Sequence, residues 1–398
     1  MLTDYEHLAT GRESSMFTEE MENNRTFLAE SINGSRVAII GAAGSIGSSV
    51  VKGLLEFRPV GVTLIDLSEN NLVEIVRDLR SSHGVLVPEN FSALPIGMGS
   101  VECTDYFKES TPFDYILNLS AIKHVRSEKD TYCLARMIDT NVLFIHDLLT
   151  DIPYGFRKFF SVSSDKAANP ANLMGASKFV MEEMLRSQDR SFSTARFANV
   201  AFSDGSLPHG FLKRIEKRQP LSAPKDVKRY FMSHEEAGQI CILSCVLGEY
   251  ADVFFPQLDE GLNEKTFSEI AVHLLAQLGY DAVPCATEDE AKARAQELIP
   301  QKKWPCFFFN TDTTGEKSFE EFYSKGDRLD CSSFKNIGIV KHTRADAPAG
   351  RAIRDFIRFA QAAKHDPNVT KADYVREVAK IVPRFDHVEK NKNLDQKM

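Results

Sequence analysis

A short apolar segment followed by a glycine-rich loop is the feature that most restricts the fold of this 398-residue chain. Val37-Ala38-Ile39-Ile40 is typical of a buried strand, and the loop Gly41-Ala42-Ala43-Gly44-Ser45-Ile46-Gly47 follows it directly. The stretch Ser45 to Leu55 then carries small and apolar residues on one helical face. A strand, a tight loop and a helix in this order are typical of the first unit of a parallel sheet covered by helices.

The loop also predicts a ligand, because glycine lets backbone N–H groups approach a pyrophosphate at the N-terminus of a helix. The predicted cofactor contacts in it are Gly41, Gly44, Ser45, Ile46 and Gly47. Asp66 closes the next predicted strand, nineteen residues after Gly47. A carboxylate there accepts hydrogen bonds from ribose hydroxyls and disfavours a 2′-phosphate, so we expect NAD rather than NADP.

Strands and helices alternate along the chain up to about residue 200, which predicts an α/β fold. We expect a Rossmann-type doubly wound parallel sheet with a smaller C-terminal substrate-binding α/β subdomain. The expected divisions are an N-terminal arm (1–34), an NAD-binding domain with the catalytic segment (35–200), a substrate-binding subdomain interleaved with it (201–340) and a helical extension (341–398).

Individual elements follow from the same patterns. The arm is expected to be helical around Thr26–Ser31 and to pack on a neighbouring subunit. Pro208, Pro220 and Pro224 indicate a loop-rich stretch. The periodicity predicts helices over 134–149, 175–187, 234–247, 267–278 and 288–298.

Composition excludes several classes of protein. The net charge of -8 argues against sequence-independent binding to nucleic acid, which needs a basic surface. The seven cysteines are scattered and the ten histidines form no ligand pattern, so we expect neither a disulfide framework nor a metal site. The N-terminus is polar, and no apolar run approaches the roughly 18 residues that span a bilayer. A cytoplasmic protein without a membrane span is expected.

A second polar segment carries the predicted chemistry. Ser164-Asp165-Lys166 follows a predicted strand, and Met174 and Lys178 follow on a predicted helix. The glycine spacing resembles that of extended short-chain dehydrogenases/reductases, which place a YxxxK pair on this helix. Lys178 fits the lysine position, whereas Met174 stands at the tyrosine position and cannot accept a proton. Either the site is catalytically dead, or acid–base work has moved to Ser164, Asp165 and Lys166.

The order of motifs resembles that of the UDP-N-acetylglucosamine 4,6-dehydratase family of polysaccharide-biosynthesis proteins. The resemblance rests on Ser-Asp-Lys-Ala-x-x-Pro-x-Asn-x-Met-Gly-x-Ser-Lys from Ser164 onward and covers roughly residues 36–325. The other matching segments are Ser120-Ala121-Ile122-Lys123-His124-Val125, Asn141, Ala195-Arg196-Phe197-Ala198-Asn199-Val200, Lys228-Arg229-Tyr230-Phe231-Met232, and Thr314-Gly315-Glu316-Lys317 with Glu320-Glu321.

The resemblance implies oxidation of a UDP-linked N-acetylhexosamine at C4, elimination of water across C5 and C6, and return of the hydride to C6. By position, Lys166 is the expected base at C5, Asp165 the acid at C6, and Ser164 the partner of the C4 oxygen. Lys178 and Ser120 would contact the cofactor. The expected substrate contacts are Lys123, His124, Asn199 and Arg229. A diphosphate is the favoured partner of Arg229, and an ordinary ion pair is the alternative.

Glu316-Lys317 would orient the second domain, and a homo-oligomer is expected by resemblance. Two other functions remain open at this point. A nucleotide-sugar 4-epimerase would return the hydride to C4 and would not need the Asp165-Lys166 pair. A dinucleotide-binding scaffold with a dead site would account for Met174.

Overall fold

A nine-stranded sheet forms the centre of the molecule. The computed structural model describes residues 5–258, 264–311, 320–385 and 387. In these ranges the strands are β1 (Arg36–Ile40), β2 (Gly61–Ile65), β3 (Asn90–Leu94), β4 (Tyr115–Asn118), β5 (Lys158–Val162), β6 (Phe192–Ala195), β7 (Asn199–Val200), β8 (Leu221–Pro224), β9 (Lys228–Arg229), β10 (Phe231–Met232), β11 (Asp252–Pro256), β12 (Lys265–Thr266), β13 (Asp281–Cys285), β14 (Lys303–Phe309), β15 (Leu329–Asp330) and β16 (Ile337–Val340).

Helices connect the strands and cover the sheet. They are α1 (Glu6–Thr10), α2 (Thr18–Asn23), α3 (Arg25–Ile32), α4 (Ser45–Leu55), α5 (Glu69–Ser81), α6 (Val101–Glu109), α7 (Thr131–Ile138), α8 (Phe144–Asp151), α9 (Leu173–Arg186), α10 (Leu207–Glu216), α11 (His234–Leu247), α12 (Phe267–Gln277), α13 (Glu288–Leu298), α14 (Ala347–Ala363) and α15 (Lys371–Val378). None of the helices in the described ranges is long and apolar enough to cross a bilayer.

The strand order confirms the predicted doubly wound sheet. It runs β3-β2-β1-β4-β5-β6-β11-β16-β15. The pairs from β3 to β11 are parallel, and β16 and β15 complete one edge in antiparallel pairing. Strands β2 and β5 are buried along their whole length, as expected for a sheet with helices on both faces. One apolar layer includes residues of α4, α5 and α11, and the other includes residues of α7, α8, α9 and α14.

The strand order places a crevice beside β1. The chain builds β2 and β3 on one side of β1 and then returns to add β4 on the other side. The loops that follow β1 and β4 therefore leave the sheet in different directions, and ligands of such sheets bind in the crevice between them, at the carboxyl ends of the strands. The predicted glycine loop follows β1 and lies at this crevice.

Residues 201–340 contribute strands to the central sheet and to three smaller sheets, two of which are the strand pairs β7-β10 and β9-β12. Strands β11, β15 and β16 join the central sheet, whereas β8, β14 and β13 form a separate parallel sheet covered by α12 and α13. The prediction of a loop-rich stretch around the three prolines was wrong, because α10 and β8 lie there. Pro208 lies in the first turn of α10, where its missing N–H has no helical partner to lose, and Pro224 ends β8, an edge strand.

The helix predicted over 134–149 is interrupted. Helices α7 and α8 are separated by a π-helical turn, Asp139–Leu143. Asn141 lies in this turn, where its side-chain amide accepts a hydrogen bond from the backbone of Ile122 (2.9 Å) and donates one to Ser177 (2.9 Å). A π-helical turn contains one residue more than an α-helical turn, which changes the direction of the side chains in it. The interruption ties the loop after β4 to α9.

The two terminal segments pack on the rest of the chain. The predicted arm forms α1, α2 and α3, with α1 against α12 and β10 and α3 against α11. Arg12 holds it in place through a bidentate ion pair with Glu236 (2.7 and 2.8 Å). In the C-terminal extension, α14 and α15 pack on α9 and bury Phe356, Tyr374 and Val378.

Candidate active site

A cavity of about 540 Å³ lies at the carboxyl edge of the parallel strands. This volume is in the range of small-molecule sites, and the position is the one that the strand order predicts. Its wall brings together most of the residues predicted from the sequence: Gly41, Gly44, Ser45, Ile46, Gly47, Lys123, His124, Ser164, Asp165, Lys166, Met174, Lys178 and Asn199.

The glycine loop forms one end of the cavity. Gly41 has a φ of 77°, and a Cβ atom there would lie 2.7 Å from the backbone nitrogen of Ser120, so only glycine allows the loops after β1 and β4 to meet. Gly44 is the N-cap of α4 and offers no side chain to cap the helix. The start of a helix without a side-chain cap favours an anionic ligand, and the loop therefore fits a pyrophosphate.

Asp66 follows β2 beside this loop. One carboxylate oxygen accepts a hydrogen bond from the backbone of Ala43 (3.0 Å), and the other accepts one from Ser68 (2.9 Å). These bonds fix the carboxylate at the edge of the glycine loop. Asp66 and Ser120 are not in the cavity wall itself, although both contact the loop that forms it.

Replacing Gly47 by alanine is expected to weaken the binding of a dinucleotide at the glycine loop. A Cβ atom at this position would lie 2.1 Å from the carbonyl oxygen of Gly41 and 2.7 Å from that of Ala42. The loop must move to relieve these contacts, so we expect binding of NAD to weaken by about tenfold or more, which corresponds to about 1.4 kcal/mol. Calorimetric titration with NAD measures the change. In the matched control Gly210→Ala, the added Cβ meets no atom within 4 Å, and unchanged affinity is expected.

Ser164, Asp165 and Lys166 form a connected polar cluster after β5. Ser164 Oγ donates to Asp165 Oδ1 (2.7 Å), and Lys166 Nζ lies 3.1 Å from both carboxylate oxygens. The Asp165 side chain is 8% exposed and that of Lys166 35% exposed. The turn is short and 3-10 helical because Ser164 caps it, accepting a hydrogen bond from the Lys166 backbone. Such a cluster can hold and exchange a proton at the cavity surface.

Helix α9 packs directly behind this turn. A Cβ atom at Gly175 would lie 2.4 Å from the carbonyl oxygen of Lys166, so glycine allows the close approach. Met174 is 2% exposed and belongs to the apolar layer between α9 and the sheet, while it also faces the cavity. No titratable side chain therefore stands at the tyrosine position of the superfamily.

Lys178 lies one turn further along α9 and is buried. Its Nζ donates to the carbonyl oxygen of Val162 at 3.0 Å. Burial lowers the pKa of Lys178 to about 8, against the opposing charge of Glu182. The ammonium group is therefore charged at neutral pH and loses its charge as the pH rises through about 8.

Glu182 belongs to a buried ion pair below the site. Its carboxylate oxygens accept hydrogen bonds from Arg196 at 3.0 and 2.5 Å and from Ser163 Oγ at 2.5 Å. Arg196 also donates to the carbonyl oxygen of Phe322 (2.8 Å). The two charged side chains are 3% and 5% exposed. This network joins α9, the end of β6 and the segment around Phe322.

Lys123 and His124 also line the cavity. Burial lowers the pKa of the Lys123 ammonium, which Asp204 partly opposes. Burial, together with the charges of Lys123 and Arg126, lowers the pKa of His124. The backbone N–H of Asp204 donates to Ser45 Oγ (2.9 Å), so the loop after β7 is joined to the first residue of α4.

Asn199 and Arg229 share one partner. Asn199 Nδ2 donates to Glu320 Oε1 at 3.0 Å, and Arg229 Nε lies 3.8 Å from the same oxygen. Asn199 is in the cavity wall, whereas Arg229 lies outside it and is 11% exposed. Glu316 and Lys317 lie outside the described residues.

Sequence reasoning missed part of the wall. Ser203-Asp204-Gly205-Ser206 could have been found, because a cluster of turn residues after a strand pair at the carboxyl edge of a sheet is a usual place for ligand contacts. Lys371 comes from the C-terminal extension, and no local signal in the sequence places it at the cavity. Within the described part of the chain, no group of three His, Cys, Asp or Glu side chains could hold a metal ion.

Known proteins resemble this chain in sequence and in fold. Residues 37–342 match the profile of a family described as polysaccharide biosynthesis protein. EpsC of Bacillus subtilis, a probable polysaccharide biosynthesis protein, is 27% identical over 84% of this chain and 53% of its own length. The chain thus spans about half of that relative.

Two enzymes are more distant relatives. The inverting UDP-N-acetylglucosamine 4,6-dehydratase of Campylobacter jejuni is 24% identical over 57% of this chain and 68% of that enzyme. UDP-glucose 4-epimerase of Rickettsia typhi is 26% identical over 64% of this chain and 79% of that enzyme. Among solved structures, Pen from Bacillus thuringiensis has the same fold, with a TM-score of 0.62 at 20% identity over 83% of this chain and 98% of Pen.

Proposed function

The chain belongs to the polysaccharide biosynthesis protein family, and from that premise we propose that it is a nucleotide-sugar 4,6-dehydratase acting on UDP-N-acetylglucosamine. The observation that carries the proposal is the contact between Asp165 and Lys166 at the surface of the cavity that also contains the glycine loop. An elimination across C5 and C6 needs a base and an acid close together, and this pair supplies both.

The residues around the glycine loop fit a dinucleotide. The start of α4 would hold the pyrophosphate, Asp66 the adenosine ribose, and Lys178 the nicotinamide ribose. The carboxylate of Asp66 favours NAD over NADP. Bound NAD supplies the hydride acceptor for C4 and the hydride donor for C6, without net redox change. Lys178 is a buried residue of the cavity wall, where its charge would stabilise negative charge that develops on the C4 oxygen.

The polar cluster manages the protons. Lys166 takes the C5 proton, and Asp165 gives its proton to the departing C6 oxygen, so that one water leaves. Lys166 acts as the base in its neutral form, 3.1 Å from the Asp165 carboxyl that acts as the acid, and the acid proton of Asp165 comes from the C4 hydroxyl. Once water has left, Asp165 is ionised and Lys166 is protonated. Lys166 then gives its proton to C5 as hydride returns to C6, which restores the neutral amine and the ionised carboxylate.

The proton of the C4 hydroxyl takes a route that does not involve position 174. Ser164 Oγ donates to Asp165 Oδ1 at 2.7 Å. We infer that Ser164 accepts the C4 proton while it passes its own proton to the Asp165 carboxylate. This relay prepares the acid form of Asp165 in the same step as C4 is oxidised, which explains how methionine is tolerated at the tyrosine position.

Incubation of the purified protein with UDP-N-acetylglucosamine in deuterated water tests the proposal. We expect a product that has lost one water, with deuterium at C5 and NMR signals of a methyl group at C6. A product of unchanged mass with an inverted C4 would instead identify a 4-epimerase, the activity of the Rickettsia relative. Bound NAD without turnover would identify a dinucleotide-binding scaffold, and either result would overturn the dehydratase proposal.

A further inference from the structure

The segment 320–324 joins the two sides of the cavity. Glu320 contacts Asn199 (3.0 Å), the carbonyl oxygen of Phe322 accepts from Arg196 (2.8 Å), and Ser324 Oγ donates to the carbonyl oxygen of Ala168 (2.5 Å). The Phe322 ring also stacks on Phe255, with 6.1 Å between centroids. The segment is therefore fixed both to Ala168, directly after the 3-10 turn that follows β5, and to Arg196 and Asn199.

Glu320 is linked to the cavity wall through Asn199. Its side chain is 5% exposed. Oε1 accepts from Asn199 Nδ2 and faces Arg229 Nε, and Oε2 lies 3.5 Å from the backbone nitrogen of Tyr230. A buried carboxylate that accepts from several donors fixes the orientation of each of them.

The orientation of Asn199 follows from the charge state of Glu320. An ionised carboxylate can only accept, so it holds the NH₂ end of the Asn199 amide and turns the carbonyl oxygen away from itself. A protonated carboxyl can donate, and it then also accommodates the opposite orientation of the amide. The charge of Glu320 thus decides which end of Asn199 faces the cavity.

Three charged groups surround Glu320. Burial raises the pKa of Glu320 to about 7; Arg229 and Lys166 oppose this change, and the negative charge of Asp165 adds to it. Glu320 is therefore ionised at pH 8 and increasingly protonated as the pH falls below about 7. The interaction with Asp165 and Lys166 also places Glu320 within electrostatic reach of the catalytic pair.

We propose that Glu320 is a positioning residue for substrate binding: in its ionised form it presets Asn199 and Arg229 for the sugar and the diphosphate of the nucleotide sugar. The inference rests on the proposed function, because that function supplies the ligand. Asn199 lies in the cavity wall, and Arg229, which is 11% exposed and lies outside that wall, faces the same oxygen of Glu320. Neither side chain has its orientation set by its own short strand alone, since β7 and β9 are two residues long.

Glu320→Gln tests this role, because the variant keeps the size of the side chain and removes its charge. We expect KM for UDP-N-acetylglucosamine to rise about tenfold at pH 8, with a smaller change in kcat. In the wild type, KM should rise as the pH falls through about 7, because Glu320 becomes protonated. The variant should show the high KM at each pH between 6 and 8. A wild-type KM and pH profile in the variant would overturn the inference.

Glu183→Gln is the matched control. Burial raises the pKa of Glu183 as well, and its carboxylate pairs with Arg186 at 2.5 Å, but it does not line the cavity. We expect KM and its pH dependence to stay at wild-type values in this variant. A rise in KM equal to that of Glu320→Gln would mean that loss of any buried carboxylate has this effect, and would contradict the specific role.

Equilibrium binding of UDP at pH 8 separates failure of the inference from failure of the proposed function. We expect Glu320→Gln and Arg229→Met each to weaken UDP binding, and the double variant to be no weaker than Arg229→Met, because Glu320 acts through Arg229. Additive losses would overturn this coupling. Wild-type protein that binds neither UDP nor UDP-N-acetylglucosamine would instead refute the proposed function, and the inference with it.

Discussion

Replacement of Lys166 by alanine is expected to lower the turnover of UDP-N-acetylglucosamine by about 10²–10⁴-fold, the usual contribution of a positioned acid or base. Lys166 Nζ is the basic group nearest to Asp165 in the cavity wall, at 3.1 Å. Without it, no group in that position takes the C5 proton. NMR of the reaction in deuterated water measures both the loss of water and the entry of deuterium at C5.

The variant should leave the fold and the cofactor site unchanged, because Lys166 is 35% exposed and its partner Asp165 keeps its bond to Ser164. Bound NAD and the melting temperature should therefore match those of the wild type. Lys292→Ala, at an exposed pair on α13, is the control for loss of one lysine charge, with full activity expected. Deuterium that still enters C5 at the wild-type rate in Lys166→Ala would show that another group is the base.

Replacement of Arg196 by methionine is expected to lower the free energy of unfolding by about 3–5 kcal/mol, as is usual when one partner of a buried ion pair is removed. The change leaves the Glu182 carboxylate buried at 5% exposure without its two guanidinium contacts. It also removes the donor to the carbonyl oxygen of Phe322. Urea denaturation, followed by circular dichroism, measures the loss.

An exposed arginine pair provides the comparison for this variant. Arg344 lies 3.2 Å from Asp189, and the two side chains are 58% and 88% exposed. Solvent screens such a pair, so Arg344→Met should change stability by less than about 1 kcal/mol. If Arg196→Met had an equally small effect, the buried pair would not hold α9 against β6 as the geometry indicates.

Local signals explain why parts of the fold could be predicted from the sequence. Helix α11 begins and ends at the predicted residues because Ser233 and Glu236 form a capping box at its start and Gly248 follows its last residue. Helix α4 was likewise predicted with its observed bounds, since the glycine loop marks its start. The break between α7 and α8 could not be predicted, because the partners of Asn141, Ile122 and Ser177, come from distant parts of the chain.

In the site, too, contacts between neighbouring residues could be predicted, whereas contacts between distant residues could not. Ser164, Asp165 and Lys166 are adjacent in the sequence, so their contact could be expected from the sequence alone. The partner of Asn199 and Arg229 could not, because Glu320 lies about 120 residues after Asn199 and reaches it only through the fold. Arg229 was expected either at a diphosphate or in an ion pair, and the structure places it beside Glu320.

The return of the chain to the central sheet also determines the order in which the protein can be completed during synthesis. Strand β16 pairs with β11, yet it is made some eighty residues later, after α12, α13 and β14 of the second sheet. A nascent chain that ends before residue 337 therefore leaves one edge of β11 without its final neighbour, and an open strand edge pairs readily with other chains. The edge of β11 is therefore covered only after residues up to Val340 have been made, and a strand edge that is exposed during folding favours aggregation.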